Sequence, residues 1–255
     1  MWTSVNDYKQ FANTFYSWTR DFSSVVYDGT HSDKRSDLIT YQSYNEFSRG
    51  INSIPSSDAN YTDNYKHIRR TNLLLQNAEA YAKPEDIKQY IGEAYFFRAY
   101  SYFDLLQLYG DVIITKKPLD ITDPEMKVKR NDRSEVVDLI IDDLNHAVEN
   151  LPAFKELTTE EEGRISKEGA QAFLSRVALY EGTWQKSRNG NQNTQRSANL
   201  LDIAAKAART VIDAKYGYTF RLFGTDSETK ILGDSAQKYM FILENEKSNP
   251  AGIKK

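Results

Sequence analysis

The sequence predicts an all-α protein built from tetratricopeptide-like helical repeat pairs with long intervening loops. Three observations carry that expectation. Apolar residues recur at helical spacing in successive stretches of the chain. Residues 87–109 are apolar or aromatic on nearly every side, so this helix needs neighbours on several faces. The run Ala94-Tyr95-Phe96-Phe97-Arg98 with Tyr102 is echoed, at one constant offset, by Ala172-Phe173-Leu174-Ser175-Arg176 with Tyr180. In each case an amphipathic helix precedes a helix with a small residue facing its neighbour, the helix-turn-helix logic of tetratricopeptide repeats. The roughly 34-residue period of such repeats is not kept.

The first helix is predicted over residues 5–20, with Val5, Tyr8, Phe11, Ala12, Phe15 and Tyr16 in register and Ser4 and Asp7 at capping-box spacing. Periodicity then dissolves to about residue 60 in a Ser, Asp, Asn and Gly-rich stretch with Tyr27, Tyr41, Tyr44 and Phe47 interspersed. So long a loop in a compact domain points to function rather than filler. A helix over 64–81 follows, with Ile68, Leu73, Leu74 and Ala78 inward. Lys83-Pro84-Glu85-Asp86 starts the next, with proline in the first turn, and Gly110 supplies its C-terminal cap. Val112-Ile113-Ile114-Thr115 reads as a short extended piece. Asp132 and Glu135 cap a helix over 134–151, and Ser166 caps another that ends near Gly182. The polar stretch 185–199 reads as a surface loop, 200–215 as a last helix, Tyr218-Thr219-Phe220 as an extended run, and 247–255 as an unorganised tail. This gives one helical domain over residues 1–246, carrying an aromatic loop at 21–63.

Composition narrows the function. A formal net charge of −3, mixed along the chain, offers no basic field to nucleic acid. No apolar run approaches the roughly 20 residues that span a bilayer. Met1-Trp2-Thr3-Ser4 opens without a leader, so a trimmed start is expected. Cysteine is absent, which removes disulfides, thiolate metal sites and thiol nucleophiles. His31, His67 and His146 stand in no metal-ligand spacing, and no nucleophile elbow, phosphate loop or dinucleotide fingerprint occurs. No metal, cofactor or catalytic residue is therefore expected. Glu93 and Arg98 interrupt an apolar helix; they are read as satisfying a neighbouring helix, with Asn72 or Asp104 as partners, and Arg176 in the echo supports that reading.

The 17 tyrosines, 12 phenylalanines and 3 tryptophans are the salient feature. Aromatic faces stack on the C–H surfaces of sugars, while amides and carboxylates bond their hydroxyls. Tyr41, Gln42, Tyr44, Asn45, Asn52, Asp58, Asn60 and Tyr61 supply that set of groups within one stretch. Tyr41, Tyr44 and Tyr61 are the candidate stacking rings and Asn60 the candidate hydrogen-bonding partner. The same tyrosines would equally pack the loop onto the helices.

Ordered motifs resemble one family. The chain carries Tyr65-x-x-Ile68-x-x-x-Asn72, then Ile91-Gly92-Glu93-Ala94-Tyr95-Phe96-Phe97-Arg98-Ala99, Tyr102-Phe103-x-Leu105 and Tyr109-Gly110-Asp111. Glu135-Val136-Val137 to Asp143-Leu144 follow, then Gly163-Arg164 and Ser166-Lys167-Glu168-Gly169-Ala170-x-Ala172-x-Leu174-x-Arg176-Val177-x-Leu179-Tyr180. In order and spacing these resemble the N-terminal region of the SusD/RagB outer-membrane nutrient-binding lipoproteins, from Ser4 to about Tyr218. The resemblance implies a SusD-like α superhelix and a non-catalytic protein that captures an oligosaccharide at the bacterial cell surface. It would pass the ligand to a SusC-like TonB-dependent outer-membrane transporter, and would be held to the membrane only by an N-terminal lipid anchor that this chain lacks. The family's later region, which supplies part of its ligand site, would begin near Phe241, so the chain is expected to be the N-terminal helical half. Several members place a tryptophan shortly before the Tyr-x-x-Ile helix, where Tyr61 stands here. A helical interaction scaffold with no sugar site, a RagB-like peptide binder and a helical glycosidase are the rival readings; the last needs two carboxylates about 5–10 Å apart in a cleft.

Overall fold

Ser4 and Asp7 open helix α1 (Val5–Asn13): the Asp7 carboxylate accepts from the Ser4 N–H at 3.0 Å, and the Asp7 N–H donates to Ser4 Oγ at 3.4 Å. The expected helix to residue 20 is cut short. Hydroxyls of Thr14, Ser17 and Thr19 donate to the carbonyls of Phe11, Thr14 and Tyr16 at 2.7–2.8 Å. The chain tightens into a 3-10 helix, Thr14–Trp18, before Thr19 turns extended. The computed structural model describes residues 2–20, 49–51, 53–188 and 194–220. Tyr41, Tyr44, most of the 21–63 loop and the 247–255 tail lie outside them.

Helix α2 (Ala59–Glu79) starts five residues ahead of the predicted position, because Asp58 accepts from the Asn60 N–H at 2.9 Å and caps it. Pro84–Ile87 form a 3-10 turn that feeds helix α3 (Lys88–Tyr109), closed by Gly110 at φ 73°. From Gln89 to Tyr109 no residue of α3 is exposed, as its all-round apolar sequence requires. Helices α4 (Arg133–Asn150), α5 (Lys167–Arg188) and α6 (Thr194–Ile212) follow. Each of α2 to α6 packs chiefly on its neighbours in sequence, and α1 lies against α2 and α3. This is the all-α, tetratricopeptide-like stack of helical pairs, with its core on α3. Among the described residues the sole sheet-type pairing is one bridge between Val112 and Asn131, where an extended piece was expected.

The last hairpin departs from expectation. Residues 185–188 and 194–199 belong to helices rather than a polar loop. Gln185 is buried and donates to Glu181 at 2.7 Å, and Ser197 donates to the Gly182 carbonyl at 2.8 Å. Gly182 does not end α5; a Cβ there would come within 3.0 Å of Leu201, so the missing side chain lets α6 close in. The echo also fails in burial: Ala94 and Arg98 are buried, whereas Ala172 and Arg176 are exposed. Tyr218 and Phe220, outside any helix, cluster with Phe154 at centroid distances of 4.6 and 5.4 Å.

Candidate functional site

Asn60 and Tyr61 were expected side by side in a loop. In the first turn of a helix, successive residues are about 100° apart, and this divides them. Asn60, Asp63, Asn64 and His67 share one face of α2; Tyr61, Thr62, Tyr65, Lys66 and Arg69 share the opposite one. A separate cavity lies against each face.

The first is a hollow of about 170 Å³ between α2, α3 and the end of the 3-10 helix, lined by Trp18, Arg20, Ala59, Asn60, Asp63, Asn64, His67, Tyr100 and Asp104. The Trp18 indole stacks on the His67 imidazole at 4.1 Å and 13°. Burial drives the His67 pKa down to about 4, so the ring is neutral near pH 7. Asn64 Nδ2 donates to Asp104 at 2.8 Å and to the Asn60 carbonyl at 2.8 Å, and Arg20 pairs with the same Asp104. Asn60 Nδ2 donates to Asp58 at 3.0 Å. The hollow thus offers an indole, two asparagine amides and two carboxylates, and no aliphatic side chain larger than Ala59.

The second is a groove of about 620 Å³ between α2 and residues 113–126. Its floor holds Tyr61 and Tyr65, 4.8 Å apart, with Tyr109 edge-on to Tyr61 at 5.2 Å. Tyr65 donates its hydroxyl to the Ile113 carbonyl at 2.8 Å, and burial holds its phenol well above the usual range. Leu119, Ile121 and Met126 form the far wall, with Ile121 94% exposed. On the rim Lys66 pairs with Asp63 at 2.7 Å, Arg69 with Asp120 at 3.9 Å and Lys117 with Glu125 at 2.8 Å. The lining contains no asparagine or glutamine. A third cavity of about 660 Å³, between α4 and α6, has amides and carboxylates but no aromatic ring, and so no stacking face.

The charges that interrupt the apolar helices are structural. Arg98 grips Asp143 through Nε and Nη2 at 2.8 and 2.6 Å and donates to Asn72 Oδ1 at 2.8 Å. Glu93 accepts from Arg164 at 2.7 and 2.8 Å. Burial lifts the carboxyls of both Glu93 and Asp143 against the pull of their arginines, and neither lines the hollow or the groove. Sequence reasoning missed Trp18, Asn64, His67, Tyr100 and Asp104 as lining residues. The signal for three of the α2 residues was present, since Asn60, Asn64 and His67 recur at i, i+4 and i+7 once the helix start is placed at residue 59. Trp18, Tyr100 and Asp104 arrive from other elements and left no such signal.

A SusD-like family model, described as starch-binding associating with outer membrane, matches residues 5–179. Among curated relatives, SusD-like protein P38 of Formosa agariphila is 33% identical over 133 residues, 51% of this chain and 25% of that protein. Among solved structures, a SusD-like protein of Bacteroides fragilis superposes with a TM-score of 0.66 at 26% identity, covering 89% of this chain and 41% of that one. A laminarin-binding SusD-like protein gives 0.54 at 27% identity, covering 69% and 35%. The match thus spans about a quarter of the curated relative and two fifths of the first structure.

Proposed function

This chain belongs to the SusD-like family, and from that premise we propose that it binds an oligosaccharide without catalysis, at the surface of the outer membrane. In this reading the protein is lipid-anchored in its precursor and hands its ligand to a SusC-like TonB-dependent transporter. The observation that carries the proposal is the chemistry of the hollow on the Asn60 face of α2. An indole, a phenol ring, asparagine amides and carboxylates line it, and groups of these types take a sugar ring by its C–H surface and its hydroxyls. Trp18 and Tyr100 supply the rings, Asn60, Asn64 and Asp104 the polar contacts. Tyr41 and Tyr44 are proposed as further stacking rings. The family description and the laminarin-binding neighbour support a glucan as the first class to try.

Isothermal titration calorimetry of the chain against α- and β-linked gluco-oligosaccharides tests this. At least one is expected to give saturable heat, and Asn60→Ala is expected to weaken binding about tenfold, the loss of a single polar contact. Silence across a broad glycan panel would sink the reading. A second reading, peptide capture, is favoured by the groove on the Tyr61 face. Two tyrosines, Ile121, Leu119 and Met126 with no amide suit an apolar side chain better than a sugar. It predicts that Tyr61→Ala weakens binding of an apolar peptide and leaves glycan heats unchanged.

A further inference from the structure

We infer that Arg164, in the connection between α4 and α5, is a positioning residue for the hollow, acting through the 3-10 helix Thr14–Trp18; the inference rests on the glycan reading of that hollow. Arg164 lines neither the hollow nor the groove. Its Nη1 donates to both oxygens of Glu93, at 2.7 and 2.8 Å, and Glu93 is fully buried on α3. Nη2 donates to Asn13 Oδ1, the residue at which α1 ends. The guanidinium lies 5.5 Å from the centres of both the Tyr16 and Tyr90 rings. The next residue completes the clasp, since the Ile165 N–H donates to the Tyr16 hydroxyl at 3.1 Å.

These contacts tie residues 13 and 16 to α3 at a point where α1 itself has stopped. A five-residue 3-10 helix has poor hydrogen-bond geometry and cannot hold a long side chain in place alone. Trp18, its last residue, is nevertheless stacked squarely on His67 and wedged against Phe15 and Phe97 at 4.7 and 5.9 Å. Tyr16 packs edge-on to the same Phe97 at 5.0 Å, so the clasp and the indole share one aromatic support. The planar fork of arginine meets Glu93 and Asn13 together from one side chain, which a lysine cannot reproduce. The indole that lines the hollow is therefore set from a turn near residue 164, more than 140 residues along the chain.

The test uses the chain with Trp2→Phe and Trp184→Phe, leaving Trp18 as its indole. His67 stacks on that indole; Asp63, Lys66 and Arg70 on its own helix act on the imidazole, and the paired Arg20 and Asp104 and the Tyr100 phenol share its hollow from the other elements. Trp18 emission should therefore titrate with a midpoint of about 4. Arg164→Ala should move that midpoint toward the ordinary histidine value near 6.5 and weaken glycan binding about tenfold. Arg164→Lys should restore part of both, by keeping the charge but not the fork. Should Arg164→Ala fail to fold, Asn13→Ala with Tyr16→Phe cuts the clasp while leaving the Arg164–Glu93 pair intact, and the same shifts are expected. An unmoved Trp18 titration in the folded variants would overturn the inference, as would a moved titration with glycan affinity unchanged. If the parent chain binds no glycan, the functional reading fails, while the Trp18 titration still reports whether Arg164 sets the indole.

Discussion

Arg98 shows how a single residue in an apolar helix organises its surroundings. Its two bonds to Asp143 join α3 to α4, and its third reaches Asn72 on α2. Asn72 in turn donates to the carbonyls of Thr115 and Lys117, at 2.9 and 3.3 Å, and fixes one wall of the groove. Removing one partner strands a buried charge, so Arg98→Leu is expected to cost about 3–5 kcal/mol in urea unfolding. Arg98→Leu with Asp143→Leu should recover most of it; a double variant no more stable than the single would show the account to be wrong. His67 carries the second prediction at this scale. Its folded pKa, about 4, lies below the unfolded value of 6.5, so between those values the unfolded chain binds more protons. The His67 contribution is therefore lost as pH falls from about 6.5 to about 4. Buried Glu93 and Asp143 are shifted upward and act in the opposite sense in acid, so the diagnostic is the difference between the parent and His67→Phe. The difference between their thermal midpoints should be constant above pH 7 and shift against the parent as pH falls from about 6.5 to about 4, if the folded imidazole stays neutral. Of the four candidate ligand residues, Asn60 and Tyr61 were legible as polar and aromatic groups. Their separation was not, because it depends on one cap at Asp58.

At the scale of elements, local chemistry decides where most helices begin and where α1 stops, while packing carries α5 and α6 through their polar stretch. Ser4, Asp132 and Ser166 are capping residues whose type and spacing announce the starts of α1, α4 and α5, whereas the cap at Asp58 starts α2 five residues ahead of its expected position. The ends of α1 and α5 are different. Hydroxyl-to-carbonyl bonds close α1 early, and the burial of Gln185 and Ser197 carries α5 and α6 through a stretch whose composition reads as loop. Polar residues bonded across a helical hairpin look the same in sequence as polar residues in water. Gly92 on α3 illustrates a contact between elements that no periodicity reveals. A Cβ there would meet Leu151 Cγ at 2.9 Å and backbone atoms of Leu151 and Asn150 at 3.0 and 3.2 Å. The obstacle is backbone, which cannot swing aside, so Gly92→Ala is expected to destabilise by about 1–3 kcal/mol by overpacking. Chemical denaturation checks this, and a neutral result would mean that the α4 end can retreat from α3.

For the whole molecule, each helix rests mainly on the helices before and after it, and stability should follow position in the stack. Helix α3 is covered by α1, α2 and α4, whereas α6 packs chiefly on α5 and leaves Ile212 64% exposed. Hydrogen exchange read by mass spectrometry should find α3 the slowest element and α6 among the fastest, at neutral pH. Uniform protection across the helices would argue instead for one cooperative unit.

The sequence by itself determined the helical class, the buried centre at residues 87–109, the caps at Ser4, Asp132 and Ser166, and a family resemblance that the match over residues 5–179 bears out. These follow from local spacing, because periodicity and caps act within one or two turns. Only the tertiary structure decided that Asn60 and Tyr61 face different cavities, that Trp18 and His67 join Asn60, and that Arg164 reaches the base of that site through Glu93, Asn13 and Tyr16. Those outcomes depend on which helix faces meet, and contacts between residues far apart in the chain leave no period to read.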